Sequence, residues 1–123
     1  RPTVIPTVCI GAYGEQIGLP MVGRLADVWN SSLQGNEERW LRKRDIMRTA
    51  AEKAGRDPQS IEISLTIERS LPTNDSESQQ FVDDLMHLRE LDACHFVMDF
   101  GHPKSTEPVL RFVEQVMQPI NGK

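Results

Sequence analysis

Short β-branched runs alternate with longer amphipathic stretches along this chain, and the alternation repeats four times. Apolar residues at every second position predict strands, whereas apolar residues at helical spacing predict helices. Strands that alternate with helices in this way are typical of βαβ construction around a parallel sheet. The sequence therefore predicts an α/β fold made of four successive β/α units.

The four predicted strands cover residues 7–10, 26–30, 61–67 and 94–100. The third is the clearest, because its isoleucines and leucine alternate strictly with Glu62, Ser64 and Thr66. Both faces of a barrel strand are enclosed, so this polar set could point inward only if its groups find partners there.

The helix boundaries are marked by capping residues. Asn36 is the predicted N-cap of the second helix and Gly55 its stop. Ser76 and Gln79 match a capping box for the third helix, and Thr106 is the predicted cap of the fourth. The first helix is expected to follow its strand directly, over residues 15–25. Four basic residues of the second helix are predicted to form a solvated face: Arg39, Arg42, Lys43 and Arg44.

Four β/α units in 123 residues amount to about half of a (β/α)8 barrel, which takes about 250 residues. A free-standing, doubly wound four-stranded sheet fits the same alternation. The pattern alone leaves both architectures open. In either case residues 1–123 are expected to form a single domain, which in the barrel is a partial one whose upstream half is expected to be absent.

Several segments carry a family resemblance: PTVCIGAYG at 6–14, GRLADVWN at 23–30, AGRDP at 54–58, and MDFGHP at 98–103 with EQVMQP at 114–119. In this order and spacing they resemble the luciferase-like monooxygenase family of flavin- or deazaflavin-dependent oxidoreductases. The resemblance covers nearly the whole chain and implies the C-terminal half of its TIM barrel. Ala12 and Val28 stand where the family usually has glycine, and Pro20 interrupts a helix that is usually regular.

The resemblance implies that the parent protein is an enzyme that binds FMN or the deazaflavin coenzyme F-420. It would carry out hydride transfer or oxygen insertion on a small organic substrate. The family's principal catalytic residues lie in the first half of the barrel, so this chain alone is expected to be inactive. Its partner would be the missing N-terminal half or a second copy of itself. The alternative is a non-catalytic, free-standing α/β binding or interaction module.

Barrel active sites lie at the carboxyl ends of the strands. Gly11, Ala12, Tyr13 and Gly14 follow the first strand, where backbone N–H groups and a helix dipole could hold a phosphate. The resemblance implies that this turn contacts the cofactor; the alternative is an ordinary βα turn.

His102 is the candidate catalytic residue, because it follows the fourth strand with Asp99 and Lys104 nearby. It could donate a proton or bind substrate, and the alternative is a solvated loop histidine. His87 and His95 are predicted not to converge with it. No His, Cys and Asp residues show the spacing of metal ligands, so no metal site is predicted.

Charge and composition exclude some partners. The chain has 14 Lys and Arg against 18 Asp and Glu, so its net charge is -4. This charge does not favour binding to nucleic acid or to an anionic membrane surface. No apolar run approaches the roughly 20 residues of a membrane helix. Cys9 and Cys94 lie in apolar runs, which predicts buried, reduced thiols of a cytoplasmic protein.

Overall fold

A computed structural model describes residues 5–122, in which a four-stranded parallel sheet alternates with helices. The predicted α/β alternation is therefore confirmed. The strands are β1 (Cys9–Gly11), β2 (Val28–Ser31), β3 (Glu62–Glu68) and β4 (Ala93–Asp99). The helices are α1 (Gly18–Leu25), α2 (Glu37–Lys53), α3 (Asp75–Glu90), α4 (Glu107–Phe112) and α5 (Gln118–Asn121), with a 3₁₀ turn at Pro58–Ser60 and a π-helical segment at Val113–Met117.

The strands lie side by side in chain order, β1-β2-β3-β4. Cys9 pairs with Val28, and Asn30 pairs with Ser64, so β1, β2 and β3 run in parallel register. This order leaves β1 and β4 as the two edges of the described sheet. Contacts divide the chain into two compact units, Arg1–Thr66 with Cys94–Val97 and Ile67–Ala93 with Met98–Lys123.

Two tryptophans form the centre of the first unit. Trp29 of β2 and Trp40 of α2 stack with ring centroids 5.8 Å apart and an interplanar angle of 11°. Both are almost wholly buried, so each indole N–H needs a partner inside the protein. Trp29 donates to the Ala12 carbonyl at 3.0 Å, and Trp40 donates to Ser31 Oγ at 2.9 Å. The stack and its hydrogen bonds thereby join β2, α2 and the segment that follows β1.

Helices α1 and α2 approach each other closely at Gly23. A Cβ atom built there would lie 2.3 Å from the Met47 carbonyl oxygen, so only glycine fits. Beyond α2, Arg56 donates to the carbonyls of Gly23 and Ala26 at 2.8 and 2.7 Å, which satisfies acceptors at the end of α1. These contacts join the segment at 54–58 to the segment at 23–30.

Three phenylalanines form an aromatic cluster in the second unit. Phe112 of α4 meets Phe81 of α3 and Phe100 edge-on, with centroids 5.2 and 4.8 Å away. Arg69 covers the Phe81 ring at 4.2 Å and pairs with Asp84 at 2.8 Å. Phe81 belongs to the buried face of α3, together with Val82, Leu85 and Leu88.

The start of α3 differs from the prediction. The α3 cap is Asn74, not Ser76: Asn74 accepts from the Glu77 amide at 2.8 Å, while Glu77 accepts from the Thr73 amide at 2.7 Å. Helix α3 therefore begins two residues earlier than predicted, and the Asn74 side chain caps it. Glu77 accepts from Thr73, one residue before the cap, so the reciprocal bond of a capping box does not form. Thr106 is at the N-cap position of α4, as predicted, but its side chain makes no capping hydrogen bond. The predicted cap at Asn36 and the helix stop at Gly55, which has a φ of 77°, are confirmed.

Helix α4 continues through the π-helical segment into α5. Pro119 lies just after this segment and has no N–H to donate, while its ring crowds the carbonyl four residues earlier. A wider turn accommodates that ring, which accounts for the change of helix type.

Both cysteines are free, as predicted, but both are exposed, so the expected burial is wrong. Cys9 begins β1 and Cys94 lies near the start of β4, and these are the edge strands of the described sheet. Edge position explains why an apolar run did not bury them. Within residues 5–122, no helix is long and apolar enough to cross a membrane.

Candidate functional site

The segment Gly11, Ala12, Tyr13 and Gly14 begins at the last residue of β1 and continues beyond the strand. Helix α1, however, begins at Gly18 rather than at Glu15. Residues 15–17 form a turn, closed by a hydrogen bond from the Leu19 amide to the Gly14 carbonyl at 2.8 Å. The positive end of the α1 dipole therefore begins after an intervening turn, and not at Gly14 itself.

Lys43 of α2 lies against this turn. Its Nζ donates to the Tyr13 carbonyl at 2.6 Å and lies 3.5 Å from Glu15 Oε2. Arg42 also pairs with Glu15, at 2.8 Å, so two cations face one carboxylate. The Lys43 side chain is only 14% exposed, which holds its charge in a fixed place.

The sequence analysis assigned Lys43 to a solvated helix face, and this is wrong. Its contact with Tyr13 joins residues 30 apart in sequence. The spacing within one helix contains no signal for such a contact. The Tyr13 ring is 38% exposed, so it remains accessible beside the turn.

His102 lies in an exposed loop after β4, as the sequence predicts. Gly101 has a φ of 69°, and its amide donates to Asp99 Oδ1 at 2.9 Å, which turns the chain at this point. Among the described residues, no ion pair joins His102 to Asp99 or Lys104. The role of His102 as a catalytic residue therefore stays a prediction.

A second polar cluster lies on the sheet of the first unit, and the sequence analysis did not predict it. Thr66 Oγ1 donates to Asn30 Oδ1 at 3.2 Å, and Asn30 Nδ2 donates to Ser64 Oγ at 3.1 Å. Ser64 Oγ is 2.9 Å from His95 Nδ1. We call these four residues the β-face relay. They lie on three adjacent strands and share one face of the sheet.

The relay joins a buried group to an exposed one. Ser64 is only 2% exposed, whereas His95 is exposed. The strict alternation of residues 61–67 had indicated that Ser64 and Thr66 share a face and need partners. His95 is the third residue of β4 and lies beside Ser64. Which residues face each other across strands depends on register, and the sequence does not show it.

The relay does not have the geometry of a hydrolytic serine site. The Ser64 hydroxyl is buried and already accepts from Asn30, so it is not open to a substrate. Within residues 5–122, no group of three His, Cys, Asp or Glu side chains could hold a metal ion. The accessible group of the relay is the imidazole of His95.

Comparison with protein-family models finds no matching family, and comparison with curated proteins finds no match.

Proposed function

We propose that this chain is part of a flavin- or deazaflavin-dependent oxidoreductase or monooxygenase of the luciferase-like kind. In this proposal the Gly11–Gly14 turn contacts the cofactor phosphate, and the sheet face that carries the β-face relay forms one wall of the active site. A small organic substrate would react there by hydride transfer or oxygen insertion. The chain supplies binding groups, and most of the catalytic ones come from elsewhere in the parent enzyme.

The observation that carries the proposal is the position of Lys43 against this turn. A phosphate needs backbone N–H donors and a nearby positive charge. The turn follows β1, at the strand end where barrel enzymes bind ligands. Lys43 and Arg42 together outweigh the charge of Glu15, which leaves one net positive charge beside the turn.

The strand order supports the barrel as the architecture. A doubly wound sheet reverses its strand order at a switch point, where it binds its ligand. The order here is strictly sequential, as in a (β/α)8 barrel. We propose that the two edge strands, β1 and β4, pair with the other half of the barrel, contributed by another segment or by a second copy.

Cofactor binding is tested by titrating FMN, the deazaflavin coenzyme and riboflavin separately into the protein and following their fluorescence. Riboflavin lacks the phosphate of FMN, so the ratio of their dissociation constants isolates the phosphate contact. We expect FMN or the deazaflavin coenzyme to bind, and a phosphorylated flavin to bind more tightly than riboflavin. Binding of neither cofactor would refute the proposal and favour the non-catalytic module.

Replacing Lys43 by alanine should remove the preference for the phosphorylated form. A hydrogen bond to a charged group is worth roughly 1.5–3 kcal/mol, so FMN should bind at least about tenfold more weakly. Lys53→Ala is the matched control, since Lys53 lies in the last turn of the same helix. An equal loss in both variants would indicate a general charge effect.

Sedimentation of the protein tests the proposed pairing of the edge strands. An unpaired edge presents free N–H and C=O groups, so an isolated half barrel should associate. A monodisperse monomer that unfolds in one transition, with no partner, would support the free-standing module instead.

A further inference from the structure

We propose that His95 is a ligand-binding residue that presents its Nε2–H group, in a fixed tautomer, to a carbonyl oxygen of a small molecule on the sheet face that carries the β-face relay. The identification of that molecule as an organic substrate rests on the proposed function. The site itself rests on the β-face relay. It would be separate from the Gly11–Gly14 turn and would make a carbonyl compound the substrate class.

The direction of the relay follows from counting protons. A hydroxyl has one proton to donate, and a carboxamide has one accepting oxygen and one donating nitrogen. Thr66 donates to Asn30, and Asn30 donates to Ser64, so the Ser64 oxygen already accepts a bond. A hydroxyl oxygen can accept two bonds, so the bond from Asn30 does not by itself assign the roles. Within residues 5–122, however, His95 Nδ1, 2.9 Å away, is the one acceptor that the buried Ser64 hydroxyl contacts, and we therefore assign Ser64 as the donor.

This direction determines which nitrogen of His95 carries the proton. When Nδ1 accepts a bond from Ser64, the proton of the neutral ring lies on Nε2. The hydrogen bond also restrains rotation of the ring. The relay therefore converts an exposed histidine, which would otherwise sample both tautomers and several orientations, into an oriented Nε2–H donor.

The exposure of the relay members favours a binding role over a purely structural one. Asn30 and Thr66 are half-buried and satisfy each other, and Ser64 is buried. The need of buried polar groups for hydrogen-bond partners would by itself explain the bonds among these three residues. The fourth member is exposed, and its Nε2 makes no hydrogen bond within residues 5–122. An uncharged N–H group donates well to an uncharged hydrogen-bond acceptor. The carbonyl oxygen is the commonest such acceptor in organic substrates.

The first test measures the tautomer. Long-range proton–nitrogen NMR spectra of histidine-labelled protein distinguish Nε2–H from Nδ1–H. We expect His95 to be in the Nε2–H form, and Ser64→Ala to convert it to a mixture of both forms. Ser70→Ala, at an exposed serine that follows β3, should leave the tautomer unchanged. An Nδ1–H form in the unaltered protein would mean that the relay runs in the opposite direction, and it would overturn the proposal.

The second test measures binding of a carbonyl probe, cyclohexanone, by the shift of the His95 ring signals and by backbone amide shifts in β3 and β4. A glutamine amide nitrogen occupies roughly the position of Nε2, whereas that of asparagine occupies the position of Nδ1. We therefore expect His95→Gln to retain most of the binding. His95→Asn should weaken it about fivefold, as for loss of one neutral hydrogen bond.

Equal weakening in the two variants, or no binding of cyclohexanone, would overturn the proposal. Should His95→Asn fail to fold, Ser64→Ala replaces it, because that variant keeps the imidazole and removes only its orientation. Neither test uses a flavin. Failure of cofactor binding would therefore refute the proposed function without deciding the role of His95.

Discussion

Replacing Gly23 by alanine should destabilise the first unit by about 2 kcal/mol. The new Cβ would lie 2.3 Å from the Met47 carbonyl oxygen and 2.8 Å from Ala50 Cβ. The first distance is about 1 Å less than the 3.4 Å at which ordinary contact begins, and the obstacle is backbone rather than a flexible side chain.

Two effects of opposite sign determine the size of this change. Overpacking of a tight core costs typically about 1–3 kcal/mol, and a backbone obstacle places this case at the upper end. Alanine in a helix gains about 1 kcal/mol over glycine. The net loss of about 2 kcal/mol corresponds to a fall in Tm of roughly 8 °C for a chain of this size.

Urea unfolding followed by tryptophan fluorescence measures the loss, because Trp29 and Trp40 are buried in the same unit. Gly14→Ala is the control: its Cβ would lie 3.8 Å from the nearest atom, so the change should stay within about 0.5 kcal/mol. If Gly23→Ala were as stable as the unaltered protein or more stable, helix propensity would outweigh the clash. The close approach of α1 and α2 would then be refuted.

Three further predictions concern hydrogen bonds. Arg56→Gln should lower the free energy of unfolding by about 2 kcal/mol, because two carbonyls at the end of α1 lose a charged donor; an unchanged urea midpoint would contradict this. Ser31→Ala should cost about 1–3 kcal/mol by leaving the buried Trp40 N–H without its acceptor, and an unchanged midpoint would again count against it. The Thr73 hydroxyl donates a hydrogen bond to Glu77 and lowers the pKa of that carboxyl below its usual 4.5. The ionised carboxylate therefore stabilises the fold fully at neutral pH, and this stabilisation is lost as the pH falls through the lowered pKa. The stability difference between the unaltered protein and Glu77→Gln should therefore shrink on acidification, and a constant difference from neutral to acid pH would contradict the reasoning.

The local features of the fold were predictable from sequence because they depend on neighbouring residues. The N-cap at Asn36 and the left-handed stop at Gly55 each involve a single turn of chain. The alternation of residues 61–67 predicted β3 to within one residue at each end. Errors arose where two local solutions compete, as at Asn74 and Ser76, since both could cap the same helix.

The sequence by itself determined the α/β class, the four strands and the polar face of β3, because hydrophobic period and capping chemistry act over a few residues. Only the tertiary structure brought Ser64 to His95, across 31 positions, and Lys43 to the Tyr13 carbonyl, across 30. Both contacts depend on how strands and helices are placed beside one another. That placement is set by the packing of the whole unit around Trp29 and Trp40, and no short segment specifies it.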